Sequence, residues 1–316
     1  MQNAKVVVDK RRITVDDFCR MFNCLEEQLP KEVLTNINRM NTQYLVPNLD
    51  QFQEYSLHVL KLITSPTITR TIEQNMDAWE KGWNENLHSL ADDEELSQSL
   101  KPRYFRPNKF LRYNKELVVT DNLDLEYDLF TLARAIIFSR YLCPFKHIYE
   151  FGCGSCQNLL ALAKVFPDKS LYGLDWATAS IRIAKALTEA RGLNIEGIFF
   201  DMMHPSGEVV LNPGSAVLTI HALEQLGQQH QKLLSYLISA RPAIVVHYEP
   251  ILELYDPDNF LDYLSLLYSQ KRNYLSGFLT ALVKLQKENK IEILESRRPL
   301  LGGVIHESSL IVWRPL

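Results

Sequence analysis

Ile148-Tyr149-Glu150-Phe151-Gly152-Cys153-Gly154-Ser155-Cys156 is a short apolar run that ends on an acid and a tight Gly-x-Gly turn. Directly after it, Asn158-Leu159-Leu160-Ala161-Leu162-Ala163 carries a helical pattern. The reading is a strand that enters a helix through a glycine loop, an element that lets backbone approach a nucleotide-like ligand closely. A Cβ at either glycine would obstruct both the turn and the ligand. Two more runs follow at helix-length intervals, and each closes on an aspartate: Ser170-Leu171-Tyr172-Gly173-Leu174-Asp175, followed by Trp176, and Ile195-Glu196-Gly197-Ile198-Phe199-Phe200-Asp201. A carboxylate ending the second strand, about 20 residues past the glycines, stands where ribose hydroxyls would donate to it.

The rest of the C-terminal half keeps alternating strand and helix, as a doubly wound sheet requires. Strands are expected near 146–151, 170–175, 196–201, 215–220, 243–249, 290–296 and 307–314, and helices near 157–166, 178–191, 226–239 and 258–288. The last two strands have no helical pattern between them, so the sheet ends in a hairpin. Glycine loop, acid after the second strand, acid after the third and a terminal hairpin together resemble the class I S-adenosylmethionine-dependent methyltransferases. The resemblance runs from about Phe145 to Leu316. It implies an α/β fold, a seven-stranded Rossmann-like sheet whose last strand is antiparallel, in residues 145–316, preceded by a mainly helical region in residues 1–144. It implies S-adenosylmethionine as the cofactor. Glu150 would lie behind the glycine loop, with Gly152, Cys153 and Gly154 bordering the amino-acid part of the cofactor. Asp175 would take the ribose hydroxyls, Trp176 the adenine face, Asp201 the adenine amino group and the Met202 backbone the rest of the base. The usual third glycine of the loop is Cys156 here, which implies a slightly altered pocket. A pyridine-nucleotide Rossmann domain competes with this reading, but it prefers a glycine further into the helix, where Leu159 or Leu160 stands.

In an open α/β sheet, ligands bind beyond the carboxyl ends of the strands. That rule selects three sets of residues: His221 to Gln225 after the fourth strand, His247-Tyr248-Glu249 at the end of the fifth, and the final turn with Arg297, Arg298, Gly302, Gly303, His306 and Glu307. Methyl transfer is a direct displacement that needs alignment and, for an alcohol, phenol or ammonium, a base near neutrality. Histidine meets that need at pH 7. His221 is the first candidate, since the resemblance puts it beside the methyl donor; the alternative is a histidine that caps the next helix. Strand alternation turns His247 and Glu249 to one side and Tyr248 to the other. The pair reads either as base and amine-binding carboxylate or as strand-end residues tied to arginines. Arg297 and Arg298 are candidates to grip a substrate carboxylate.

Before the glycine loop the chain reads as helices. Thr14 offers a helix start ahead of Phe18, Met21, Phe22 and Leu25; a second helix runs through Phe52, Leu57, Val59, Leu60 and Leu62; a third carries Ile72, Met76, Trp79 and Trp83 as a core stripe. Asp92-Asp93-Glu94-Glu95 reads as a solvated face or loop, and Pro102 to Val119 as an irregular basic and aromatic lid or linker. A helix from Leu125 to Leu142 then delivers the chain to the first strand.

Apolar content of 46% and charged content of 23% suit a soluble globular protein, and a net charge of −4 offers no pull toward a polyphosphate backbone. No apolar run reaches a bilayer span or follows the start as a signal core. The expectation is a cytoplasmic protein with no membrane or nucleic-acid partner. Five cysteines do not form a disulfide framework, and Cys153-x-x-Cys156 lacks the second ligand pair of a zinc site. The reading is a small-molecule O- or N-methyltransferase covered by its N-terminal helices. A protein or peptide methyltransferase, an aminopropyl-type transferase and a non-catalytic cofactor-binding protein are its rivals. The tyrosine-rich 258–288 segment is a candidate homodimer surface.

Overall fold

A computed structural model of the chain describes residues 10–69, 71–90 and 96–316, with Ile72 and Glu73 as backbone only. The acidic run at 92–95 lies outside these described residues. Seven strands form the central sheet: β1 (His147–Phe151), β2 (Ser170–Asp175), β3 (Ile195–Phe199), β4 (Ala216–Ile220), β5 (Ile244–Glu249), β6 (Ile291–Arg297) and β7 (Ser309–Pro315). Their order is β6-β7-β5-β4-β1-β2-β3, with β7 antiparallel to both neighbours and the other pairings parallel. Each strand lies within two residues of its expected place. This is a seven-stranded Rossmann-like sheet with its last strand antiparallel, as expected. Its middle strands are apolar on both faces because helices cover both: every residue of β4 and β5 is buried.

Eleven helices are described: α1 (Val15–Phe22), α2 (Lys31–Arg39), α3 (Leu49–Thr64), α4 (Ile72–Ser89), α5 (Leu96–Ser99), α6 (Leu125–Ile137), α7 (Gln157–Val165), α8 (Thr178–Arg191), α9 (Gln231–Ala240), α10 (Phe260–Arg272) and α11 (Phe278–Lys287). Reciprocal caps set several starts: Thr14 and Asp17 for α1, Asn48 and Gln51 for α3, Thr71 and Gln74 for α4. None of the described helices is long and apolar enough to cross a membrane.

Three expectations change. The single helix at 258–288 is two, because Asn273 takes the left-handed conformation that ends α10 and Gly277 the one that starts α11. The stretch before Val119 is only partly irregular: Phe110–Tyr113 and Glu116–Val119 form a hairpin about Asn114 and Lys115, both at positive φ, and Leu301–Gly302 adds a third strand to it. And α3 buries Tyr55, Val59 and Ile63, spaced by four, while Phe52, Leu57, Leu60 and Leu62 face outward.

The hairpin is tied to the C-terminal half by a buried ionic cluster. Arg112 pairs with Asp262 and, at 3.1 Å, with Glu307. Arg298 pairs with Asp262 at 2.5 Å and Glu307 at 2.8 Å, and lies 4.0 Å over the Tyr255 ring. Two cations and two carboxylates are thus matched out of water, where a lone charge would cost several kcal/mol. This accounts for Arg298, which is held inside the protein and is not free for a substrate carboxylate; Arg297 is paired with Glu295 at 2.7 Å.

Candidate active site

Gly152 and Gly154 turn the chain at φ 73° and 50°, values that side chains resist. The turn is pinned to β2: Gly152 N–H donates to Leu174 O at 2.7 Å, and Gly154 N–H to Asp175 Oδ2 at 2.8 Å. Asp175 Oδ1 accepts from Ala177 N–H at 2.9 Å. The Asp175 carboxylate therefore holds the loop as well as facing the cavity beside it, with lone pairs left over. Burial pushes it up to about 6, against those two backbone bonds. Cys156 sits at φ 60° as the cap of α7, so the third loop position needs the left-handed backbone that a glycine supplies most easily.

The loop lines a cavity of about 310 Å³ together with Asp175, Trp176, Asp201, Met202 and His221. Cys153 lines it too, whereas Glu150 is fully buried behind the loop, where its Oε1 accepts from Asn158 Nδ2 at 2.6 Å. Burial raises Glu150 to about 8, with the Asn158 bond and the Arg134 charge opposing. Asp201 accepts from Met203 N–H at 2.8 Å and contacts His204 Nδ1 at 2.9 Å. The roof of the cavity is α4. Met76, Trp79 and Trp83, expected as a core stripe, line it, and a Cβ on Gly154 would meet the Trp83 ring at 2.7 Å. Glu80 of the same helix accepts from Ala179 N–H at the start of α8, at 3.2 Å, a favourable place for a carboxylate.

A second, larger cavity of about 800 Å³ adjoins the first, and Trp79, Trp83, Tyr104 and His221 line both. His221 follows β4 at φ 52°, half-buried, with Nε2 2.6 Å from Ser308 Oγ. The rings of Phe130, Tyr104, Phe105 and Tyr248 surround it at centroid distances of 5.4 to 6.2 Å. Burial alone lowers it to about 4, so the imidazole is neutral at pH 7.

His247 and Glu249 are not brought into either cavity. Alternation holds, but the side they share is the wrong one: Tyr248 lines the large cavity and they do not. His247 is fully buried, its Nδ1 2.9 Å from Thr219 Oγ1 and its Nε2 accepting from Trp313 Nε1–H at 2.9 Å. Burial lowers it to about 3. Glu249, also fully buried, accepts from Ala222 N–H at 3.0 Å with both oxygens and so fixes the loop that carries His221; burial raises it to about 8 against that bond. The expected amine carboxylate is a strut instead.

Glu224, after β4, and His306, from the loop before β7, line the large cavity and belong to the strand-end sets selected from the sequence. Sequence reasoning missed Glu126 and Phe130, four apart on α6, and Ser308. A carboxylate in the first turn of a helix reads as a dipole partner, so nothing local marks Glu126. Position at the rim was the usable signal for Ser308. Of the tyrosines around 258–288, Tyr268 and Tyr274 line the large cavity, Tyr255 stacks on Arg298 and Tyr263 is exposed.

No protein-family model matches the chain, and no curated protein matches it in sequence. Solved structures resemble it distantly. The O-methyltransferase NcsB1 from neocarzinostatin biosynthesis, in complex with S-adenosylmethionine and 2-hydroxy-5-methyl naphthoic acid, is 14% identical over 96% of this chain and 90% of its own, with a TM-score of 0.43. The S-adenosylmethionine-dependent methyltransferase SibL, in its apo form, is 14% identical over 96% of this chain and 89% of its own, TM-score 0.45. Magnesium protoporphyrin IX methyltransferase from Synechocystis PCC 6803, with bound S-adenosylhomocysteine, is 14% identical over 58% of this chain and 80% of its own, TM-score 0.42.

Proposed function

We propose that this chain is an S-adenosylmethionine-dependent methyltransferase that acts on an oxygen or nitrogen of a small molecule. The observation that carries this reading is the meeting of two cavities at His221, one built on the glycine loop and Asp175, the other walled by aromatic rings. The donor set of the smaller cavity fits the cofactor. Asp175 keeps lone pairs for ribose hydroxyls, Trp176 offers a ring face to the base, and Asp201 lies by Met202 at the far edge. A Cβ on Gly152 would meet Ala222 at 2.5 Å and one on Gly154 the Trp83 ring at 2.7 Å, so the loop runs this close to its walls only with glycine.

S-adenosylmethionine, when bound, supplies an electrophilic methyl group. The chain's own residues must bring a nucleophile to it, remove a proton and exclude water. His221 lies where the cavities join, and its ring carries a lone pair at pH 7. Ser308 Oγ at 2.6 Å fixes the ring by bonding one nitrogen, which leaves Nδ1 to face an acceptor. Trp79, Trp83 and Tyr104 line the junction from the cap side. A concave cavity of about 800 Å³ walled by aromatic rings is of a size that suits a small molecule.

Isothermal titration of the full chain with S-adenosylmethionine, S-adenosylhomocysteine and NAD tests the reading. Binding of both adenosyl compounds without NAD is expected. Binding of NAD alone, or of none of the three, overturns it.

A further inference from the structure

Resting on the acceptor-cavity reading above, we propose that the larger cavity selects aromatic molecules that carry a protonated amine, with the Glu126 carboxylate as the group that receives it.

Glu126 opens α6 and points into the large cavity. Among the described residues its carboxylate has neither a hydrogen-bond partner nor an ion pair. Lys101, the nearest cation to act on it, is held by Asp124 at 2.7 Å and lies 4.5 Å over the Tyr127 ring. The loop before β7 lies against the group from one side: a Cβ on Gly303 would fall 2.2 Å from Glu126 Oε1. Burial of a carboxyl group left without a partner raises it to about 7, against the Lys101 charge. A ligand cation would favour its charged form and give the charge-assisted bond that the protein itself does not provide.

The surroundings select a cation over an anion. A second cavity carboxylate, Glu224, has among the described residues only the amide of Gln225, at 3.0 Å, as a hydrogen-bond partner, and burial raises it to about 7 against that bond and the Arg272 charge. The cavity's positive groups are paired with or act on acids other than Glu126, or lie at the mouth. Arg103 is paired with Glu85 at 3.1 Å. Arg272 donates to Ile68 O at 3.0 Å and to Tyr274 OH at 3.2 Å. Lys81 and Arg106 are exposed at the mouth. His306, between Tyr268 and Tyr274, is neutral, lowered to about 3 by burial and by the nearby Arg112 and Arg272 charges. Aromatic faces on the remaining walls attract cations further.

Placement links this subsite to the reaction. Phe130 stands four residues, about 6 Å, along α6 from Glu126, and its ring centroid is 5.4 Å from that of His221. A ring stacked on Phe130 can thus present one substituent to His221 and another to Glu126.

The test is isothermal titration of the full chain saturated with S-adenosylhomocysteine, using three probes of one shape: tryptamine, its alcohol tryptophol, and indolepropionate. Wild type should bind tryptamine at least about tenfold tighter than either of the others. Glu126→Gln should weaken tryptamine by about tenfold while tryptophol binding changes less than about twofold. Preference for indolepropionate, equal binding of the three, no binding of tryptamine, or a variant that keeps the amine preference each overturns the proposal. A separate titration with S-adenosylhomocysteine alone reads the underlying methyltransferase assignment, so the two failures are distinguishable.

Discussion

The two cavities share four residues but are built in opposite ways. The smaller one is walled mainly by consecutive loop residues at the ends of β1, β2, β3 and β4, held by backbone bonds such as Gly152 N–H to Leu174 O. The larger one gathers side chains from α4, the 103–108 stretch, α6, α10 and the loop before β7. Backbone geometry shapes the first wall; packing between distant segments shapes the second. The difference teaches where each wall is vulnerable. A change in the core pairing of the distant segments should damage the acceptor side and spare the cofactor side.

Arg112→Met is the largest such change. It leaves Asp262 and Glu307 sharing one arginine in a site closed to water, and breaking a buried pair in this way costs about 3–5 kcal/mol. Urea unfolding should show that loss. Isothermal titration with S-adenosylhomocysteine should show an affinity within about threefold of wild type, a shift under 1 kcal/mol. If cofactor-product affinity falls in step with stability, the two walls are one cooperative unit and the comparison fails.

The second contrast lies between two histidines that the strand-end rule treats alike. His221→Ala should slow turnover on any accepted substrate by about a hundredfold or more while changing S-adenosylhomocysteine affinity little. His247→Gln should act on stability instead, costing about 1–3 kcal/mol near neutral pH by leaving Thr219 and Trp313 without a partner. Its pH signature follows from the folded value of about 3 against an ordinary 6.5. Between those values the unfolded chain binds a proton that the folded chain refuses, so wild type loses stability as pH falls below 6.5. The gap between wild type and His247→Gln should therefore narrow on acidification, by about 1.4 kcal/mol per pH unit at most. Chemical denaturation at several pH values measures it, and a gap that widens would mean His247 is charged in the fold.

These contrasts also show what was legible in the chain. Glycines, strand-end acids and alternating apolar runs are local signals, so the seven strands and the loop residues from Gly152 to Asp201 were readable. Which face of a strand end meets the ligand is a tertiary fact. Alternation paired His247 with Glu249 correctly, yet only the packing of β7 and α11 against that side, through Trp313 and Phe278, makes it core. The same limit applies to Trp79 and Trp83, whose helical spacing cannot tell a core from a cavity roof. It applies to Arg298 as well, whose partners Asp262 and Glu307 lie far from it or across a turn.

The smallest expected effect sharpens the account of the glycine loop. Cys156→Gly removes a left-handed strain of about 1–2 kcal/mol, but it also adds glycine's chain entropy, about 0.5–1 kcal/mol. It deletes a buried side chain as well, one that contacts Cys153 Sγ at 3.9 Å and Ser180 O at 3.6 Å. These terms nearly cancel, so thermal unfolding should place the variant within about 1 kcal/mol of wild type, with S-adenosylhomocysteine affinity little changed. Gly154→Ala meets the same backbone restriction with no such compensation, since its new Cβ would strike the Trp83 ring. It should weaken S-adenosylhomocysteine by about tenfold or more and alter the tryptophan emission of the cap. If Cys156→Gly is the more damaging of the two, the loop is held by its cysteine side chain, and backbone conformation is not what shapes the cofactor wall.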